Sequence, residues 1–131
     1  MDAIYVDSSV VVAFLLGDAG ASTFKRVRAK AVPLLSSSFL QAEVYSALVR
    51  ERLAPTLADA ALTVFAWVLP DRPLASELRR VLAAVPLRGA DAWHIACALR
   101  VSPDPEQLGF VTLDKPQRAV AAALGFRTAL R

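Results

Sequence analysis

The sequence predicts an α/β domain with a mainly parallel central sheet covered by helices on both faces. Three observations carry that expectation. Short apolar runs such as Ala3 to Val6 and Phe110 to Leu113 alternate with longer helical segments along the whole chain, as strands joined by helical crossovers do. Turn and cap residues, Ser, Asp, Gly and Pro, fall at the junctions between them. A length of 131 residues suffices for one core and is short for two, so 1–131 is expected to be a single domain.

The elements follow in order. Ala3 to Val6 reads as a buried strand, and Asp7-Ser8-Ser9 supplies a turn and an N-cap for a helix to about Leu16. A second helix is expected from about Ala19 to Lys30, then a strand from Val32 to Ser36 around Pro33. Ser36-Ser37-Ser38 offers caps for a third helix, Phe39 to Arg52, which Pro55 stops. Leu57 to Leu69 reads as an apolar helix, Pro70 to Leu74 as a short extended piece, and Ser76 to about Val85 as a helix ended by Pro86. Gly89-Ala90-Asp91 opens a helix to about Val101, and Ser102 to Glu106 is a loop by composition. Phe110 to Leu113 is a strand, Pro116 to Leu124 a helix ended by Gly125, and Phe126 to Leu130 a last strand. No internal repeat, low-complexity tract or linker interrupts this order.

Composition narrows the function classes. The longest apolar stretches, Val10 to Leu16 and Ala60 to Leu69, fall short of the roughly 18 residues a membrane span needs. The opening Met-Asp-Ala lacks the basic flank and apolar core of a secretory signal, so a soluble, cytoplasmic protein without a membrane partner is expected. Cys97 is the single cysteine, which excludes a disulfide within the chain and reads as a small core residue rather than a nucleophile. An apolar fraction of 56% favours an obligate partner or a dimer face. That face is expected on the early helices with Leu57 to Leu69, where Phe65 and Trp67 are not expected to share one core. Fifteen basic against twelve acidic residues leave +3, with the cations grouped at Lys25, Arg26, Arg28 and Lys30, at Arg50 and Arg52, and at Arg79 and Arg80. Such basic groups suit a phosphodiester substrate if they surround an acidic centre neutralised by metal, for which four of the acids are the candidates.

Four acids stand where acids are costly. Asp7 closes Ala-Ile-Tyr-Val, Glu43 and Asp91 interrupt apolar helical stripes, and Asp114 closes Gly-Phe-Val-Thr-Leu. Glu43 recurs in phase with Phe39, Leu40, Val44, Ala47 and Leu48, and Asp91 with Ile95, Ala98 and Leu99. The other eight acids all lie in polar, turn or helix-end settings. In a parallel sheet, ligands collect beyond the carboxyl ends of the strands, which is where Asp7 and Asp114 fall. Each acid has a structural explanation: a cap for Asp7, a first-turn acid for Asp91, a turn for Asp114, an arginine partner for Glu43. Together they ask for a compensating charge, because two carboxylates at ~4 Å repel by roughly 4 kcal/mol at an effective dielectric near 20. With one His and one Cys there is little material for zinc, and a hard cation, Mg²⁺ or Mn²⁺, is the natural partner.

Tyr5-Val-Asp7-Ser8-Ser9-Val, Gln41-Ala-Glu43-Val-Tyr-Ser-Ala-Leu48, Gly89-Ala-Asp91-Ala-Trp-His-Ile-Ala-Cys-Ala-Leu99 and Phe110-Val-Thr112-Leu-Asp114 resemble, in order and spacing, the PIN-domain nucleases, especially VapC-like toxins of toxin–antitoxin pairs. The resemblance runs from Ala3 to Arg131. It implies a three-layer α/β/α sandwich, Mg²⁺- or Mn²⁺-dependent endoribonuclease activity, an RNA substrate, a cognate antitoxin and a homodimer. By the same resemblance Asp7, Glu43, Asp91 and Asp114 form the acidic quartet that holds the metal. Ser8 and Thr112 match its accompanying hydroxyls, expected to bond carboxylates or phosphate. Lys115-Pro116-Gln117 departs from relatives that carry a further acid or aromatic there, so Asp114 is expected to hold the metal directly or through water. Arg88 is a candidate phosphate contact, and His94 is expected to be structural.

Two other readings remain at this level. A catalytically silent PIN-like module binding RNA or protein would keep the acids without binding metal. A phosphatase with an aspartyl nucleophile would want a second Asp two residues after Asp7, where Ser9 stands.

Overall fold

Ile4 and Val6 point to one side of the first strand and Tyr5 to the other, and each side buries its residues completely. That alternation divides the molecule. In a computed structural model describing residues 2–130, a four-stranded parallel sheet separates two helical layers, the α/β/α sandwich anticipated above.

The strands are β1 (Ala3–Val6), β2 (Leu34–Ser37), β3 (Phe65–Val68) and β4 (Leu108–Val111), in the spatial order β3-β2-β1-β4. Helices α1 (Ser8–Leu16), α2 (Thr23–Arg28), α3 (Phe39–Arg50) and α4 (Asp59–Leu62) share a core with Ile4, Val6, Leu34, Phe65 and Val111. On the opposite face, α5 (Ala75–Val81), α6 (Gly89–Val101) and α7 (Lys115–Leu124) pack around Tyr5, Leu108, Phe110 and Phe126. Tyr5 and Phe110 stack there with centroids 5.3 Å apart and rings nearly parallel, a contact worth ~0.5–1.5 kcal/mol beyond its buried area. The chain steps outward from β1 to β2 to β3, then returns past β1 to β4. Strand order therefore reverses between β1 and β4, and a crevice opens beyond their carboxyl ends.

Most local expectations hold within a residue or two, and five do not, among them the helix expected from Ser76 to about Val85, which runs Ala75–Val81 and stops four residues short of that end. The expected helix from Leu57 to Leu69 is a 3-10 turn (Pro55–Ala58), the single turn α4, and then strand β3. A continuous apolar run suits a helix or a buried strand alike, and pairing with β2 in register Leu34↔Phe65 through Ser37↔Val68 decides it. As strand residues two apart, Phe65 and Trp67 lie on the same side, 5.5 Å between centroids, in one core. The expectation that they could not share one is corrected, because it assumed the helical period. The extended piece expected at Pro70 to Leu74 pairs with no strand among the described residues. The second helix, expected from Ala19, starts at Thr23 because the chain first turns through Gly20 at φ +86°, where an added Cβ would meet Leu113 at 2.7 Å. The last strand is reduced to a single parallel bridge, Gly109↔Arg127, with the Phe110 N–H donating to the Arg127 carbonyl at 2.8 Å. No helix among the described residues is long and apolar enough to cross a membrane.

Candidate active site

The two strands that reach the crevice, β1 and β4, are each followed by a helix, β1 after one residue and β4 after three, and the residue that caps the helix is an aspartate. Asp7 follows β1 and caps α1, its Oδ2 accepting from the Ser9 N–H at 3.0 Å. Asp114 follows β4 and caps α7, accepting from the Gln117 N–H at 2.9 Å. Such caps contribute ~1 kcal/mol each and hold the carboxylates at the positive ends of the helices. Capping and clustering are thus one geometry, so the structural explanation of these two acids and the functional one coincide.

The other two acids come from opposite layers. Glu43 projects from α3, half-buried, beside the buried Leu40, Val44, Ala47 and Leu48. Asp91 lies in the first turn of α6 and is 9% exposed. All four carboxylates line one cleft of about 350 Å³, together with Ser8, Ser9, Arg50, Arg88 and apolar side chains of α1, α3 and the β4–α7 loop.

Burial raises the Asp91 carboxyl above its usual range, Arg88 opposes that shift, and the charges of Asp7 and Asp114 add to it. The Arg88 Nε donates to Asp91 Oδ2 at 3.1 Å, from a guanidinium arm that is 81% exposed. Glu43 Oε1 lies 2.6 Å from His94 Nε2, and His94 Nδ1 lies 2.7 Å from the Tyr5 hydroxyl. The Ser37 N–H donates to that hydroxyl at 3.0 Å. Facing a carboxylate, Nε2 donates to Glu43, and in a neutral ring Nδ1 then accepts from the Tyr5 hydroxyl. His94 is completely buried and was expected to be structural; its place is a link between the core and the Glu43 carboxylate.

Beneath Asp7 lies a residue the sequence reading set aside. Gln117 is fully buried and touches three parts of the quartet. Its Nε2 donates to Asp7 Oδ1 and to the Asp91 carbonyl, both at 3.2 Å. Its Oε1 accepts from Thr112 Oγ1 at 2.6 Å, and Thr112 Oγ1 in turn accepts from the Asp114 N–H at 3.0 Å. The signal was present in Asp114-x-x-Gln117, the spacing of a capping box. Here the amide turns inward rather than back to the cap.

Thr112 joins this network as anticipated, 3.3 Å from Asp7 Oδ2, although β4 ends at Val111 and no strand alternation carries it there. Ser8 lines the cleft as the first residue of α1. The hydroxyl bonded into the network is that of Ser9, which accepts from the Leu113 N–H at 3.0 Å and lies 3.3 Å from Thr112 Oγ1.

The family model of the PIN domain matches residues 4–123. The chain belongs to the PIN domain family. No curated protein and no solved structure matches it significantly. PIN domains are generally nucleases that use divalent metal ions, and this PIN domain presents a donor set of that chemistry: four carboxylates, hard oxygen ligands, in a water-accessible cleft. Among the described residues no three of its His, Cys, Asp and Glu side chains stand close enough together to cage an ion. Of the four acids, Glu43 is bonded to His94 and Asp91 to Arg88. The residues fit a hard divalent cation in kind and location.

Proposed function

We propose that this PIN domain is a Mg²⁺- or Mn²⁺-dependent endoribonuclease, the VapC-like toxin of a toxin–antitoxin pair, acting in the cytoplasm as a homodimer. One observation supports the nuclease reading above others: four carboxylates from four separate elements line a single cleft at the sheet's switch point. Asp7, Glu43, Asp91 and Asp114 would hold the cation, Asp114 directly or through water. When bound, the cation supplies positive charge to the phosphodiester and activates water for in-line attack.

The chain's own groups do the rest. Gln117 and the Ser9 N–H fix both oxygens of Asp7, and the N-terminus of α7 fixes Asp114. His94 orients the Glu43 carboxylate at the cleft. Arg50 and Arg88 stand at the rim, where guanidinium groups engage phosphate. Exposed Val49, Leu53 and Leu57, around the end of α3 and the turn after it, support a partner surface for an antitoxin or a second copy.

Asp7→Asn keeps the cap of α1, since asparagine caps as well as aspartate, and removes a ligand charge. Cleavage of RNA in Mg²⁺ is expected to fall by about 100-fold or more, with Asp91→Asn behaving alike. Sequencing the RNA ends formed after brief induction of wild type and of Asp7→Asn identifies the substrate. Undiminished cleavage by both variants would remove the metal centre from the proposal. Absence of metal binding up to millimolar concentration by calorimetry would favour a silent RNA- or protein-binding module. If expression alone is harmless and no neighbouring gene product binds, the toxin role falls while the nuclease role stands.

A further inference from the structure

A second depression, of about 480 Å³, opens between the N-termini of α3 and α6, lined by Ser37, Ser38, Phe39, Gly89, Ala90 and Trp93. We propose that it is a base-stacking subsite that receives one unstacked nucleobase of a single-stranded substrate against Phe39 and Trp93. The proposal rests on the nuclease reading and adds to it where the strand lies and how it is gripped.

The two sites share their scaffolding. Phe39 precedes Glu43 by four residues on α3, so the two stand about one turn apart, ~5–6 Å between Cβ atoms. Gly89, Ala90 and Trp93 bracket Asp91 on α6. Arg88, exposed, lines the acidic cleft and immediately precedes Gly89 of the second depression. A phosphate held at the acidic cleft and Arg88 therefore has a neighbouring base within reach of the groove.

The lining matches a base. A singly exposed Phe is ordinary, but Phe39, 42% exposed, borders the same groove as a half-buried indole, above the small residues Gly89 and Ala90. The Trp93 wall is held by a hydrogen bond, and the Phe39 wall is backed by a buried ring. The Trp93 Nε1–H donates to Ser37 Oγ at 3.0 Å, and the Phe39 ring lies 6.2 Å from His94, which is held at both nitrogens. Aromatic faces fixed in advance lose little freedom on binding. Ser38, exposed at the N-cap of α3, makes no side-chain cap bond, which leaves its hydroxyl available at the rim to a base edge or a 2′-hydroxyl. The volume falls within the ~300–1,000 Å³ of pockets that take small organic groups. Bases in a duplex are stacked and cannot enter, so the substrate class is single-stranded, a loop or an end.

Gly89 provides a direct probe, because a Cβ placed on it meets nothing within 4 Å and a larger side chain there would fill the groove rather than displace the fold. The test uses the full chain, a fluorescein-labelled short single-stranded RNA with Ca²⁺ for binding, and Mg²⁺ for cleavage. Phe39→Ala and Gly89→Leu are each expected to weaken RNA binding by about 5- to 150-fold, and Phe39→Tyr to restore it. In a Trp67→Phe background, Trp93 is the only tryptophan, and its emission should be quenched as the RNA binds. An RNA that is cleaved in Mg²⁺ while these variants bind it normally and Trp93 emission stays unmoved overturns the subsite and leaves the nuclease intact. Wild type that neither binds nor cleaves RNA defeats the nuclease reading itself. If Trp93 responds to a protein partner and not to RNA, the groove is a protein-docking surface and the proposal is wrong.

Discussion

Replacing Gln117 with methionine tests whether a single buried amide organises the acidic cleft. Methionine has the same unbranched reach, so packing is nearly conserved and the hydrogen bonds are removed. Three are lost: Nε2 to Asp7 Oδ1 at 3.2 Å, Nε2 to the Asp91 carbonyl at 3.2 Å, and Thr112 Oγ1 to Oε1 at 2.6 Å. The bond to the Asp7 carboxylate is worth ~1.5–3 kcal/mol and the neutral ones ~0.5–1.5 kcal/mol each, roughly 2.5–6 kcal/mol in all. Two effects pull the total down. Thr112 Oγ1 can turn its proton to Asp7 Oδ2, 3.3 Å away, and the Asp91 carbonyl keeps its acceptor role within α6. The expected loss is about 3 kcal/mol, a large part of the ~5–15 kcal/mol that holds such a domain together. In urea unfolding, with a slope of ~1–3 kcal/mol per molar, the midpoint should fall by about 1–3 M. Divalent-metal affinity measured by calorimetry should fall about 10- to 100-fold, since Asp7 loses the donor that orients it. A variant with an unchanged urea midpoint and unchanged metal affinity refutes the idea that Gln117 supports the site.

Three further outcomes are expected. His94→Leu should destabilise by about 2–3 kcal/mol because it leaves the buried Tyr5 hydroxyl without its acceptor, and adding Tyr5→Phe should cost less than the sum of the two single changes, as read from a double-mutant cycle in urea. Burial pushes the Cys97 thiol up to about 11 and the Tyr5 hydroxyl well above its usual value. Folded-state values raised in this way mean stability that is complete below the unfolded thiol range, near pH 8.5–9, and lost as pH rises through about 11. Urea midpoints between pH 8 and 11 should therefore decline, and Cys97→Ala should decline less steeply. Gly125 ends α7 at φ +109°, so Gly125→Ala should cost about 1–2 kcal/mol by thermal unfolding, although its Cβ would meet only ordinary contacts at 3.6 Å or more.

The sequence by itself determined the architecture and the identity of the four acids. β1, α1, α3, α6 and α7 are marked by local signals: an apolar run, a cap, a helical stripe, a glycine stop. Asp7 and Asp114 are legible as cleft residues because a strand end followed by a capping aspartate is a local pattern with a fixed place in a parallel sheet. Tertiary structure decided what depends on partners distant in the chain. Val64 to Val68 could have continued as a helix, and only the edge of β2 makes the segment a strand. Glu43 and Asp91 belong to opposite layers, and their approach follows from the reversal of strand order between β1 and β4. The present partners of those acids, His94 and Arg88, and the inward turn of Gln117 lie outside any periodicity. A buried polar side chain takes whichever donor or acceptor the packed core brings within 3 Å of it, and that choice is made by the fold.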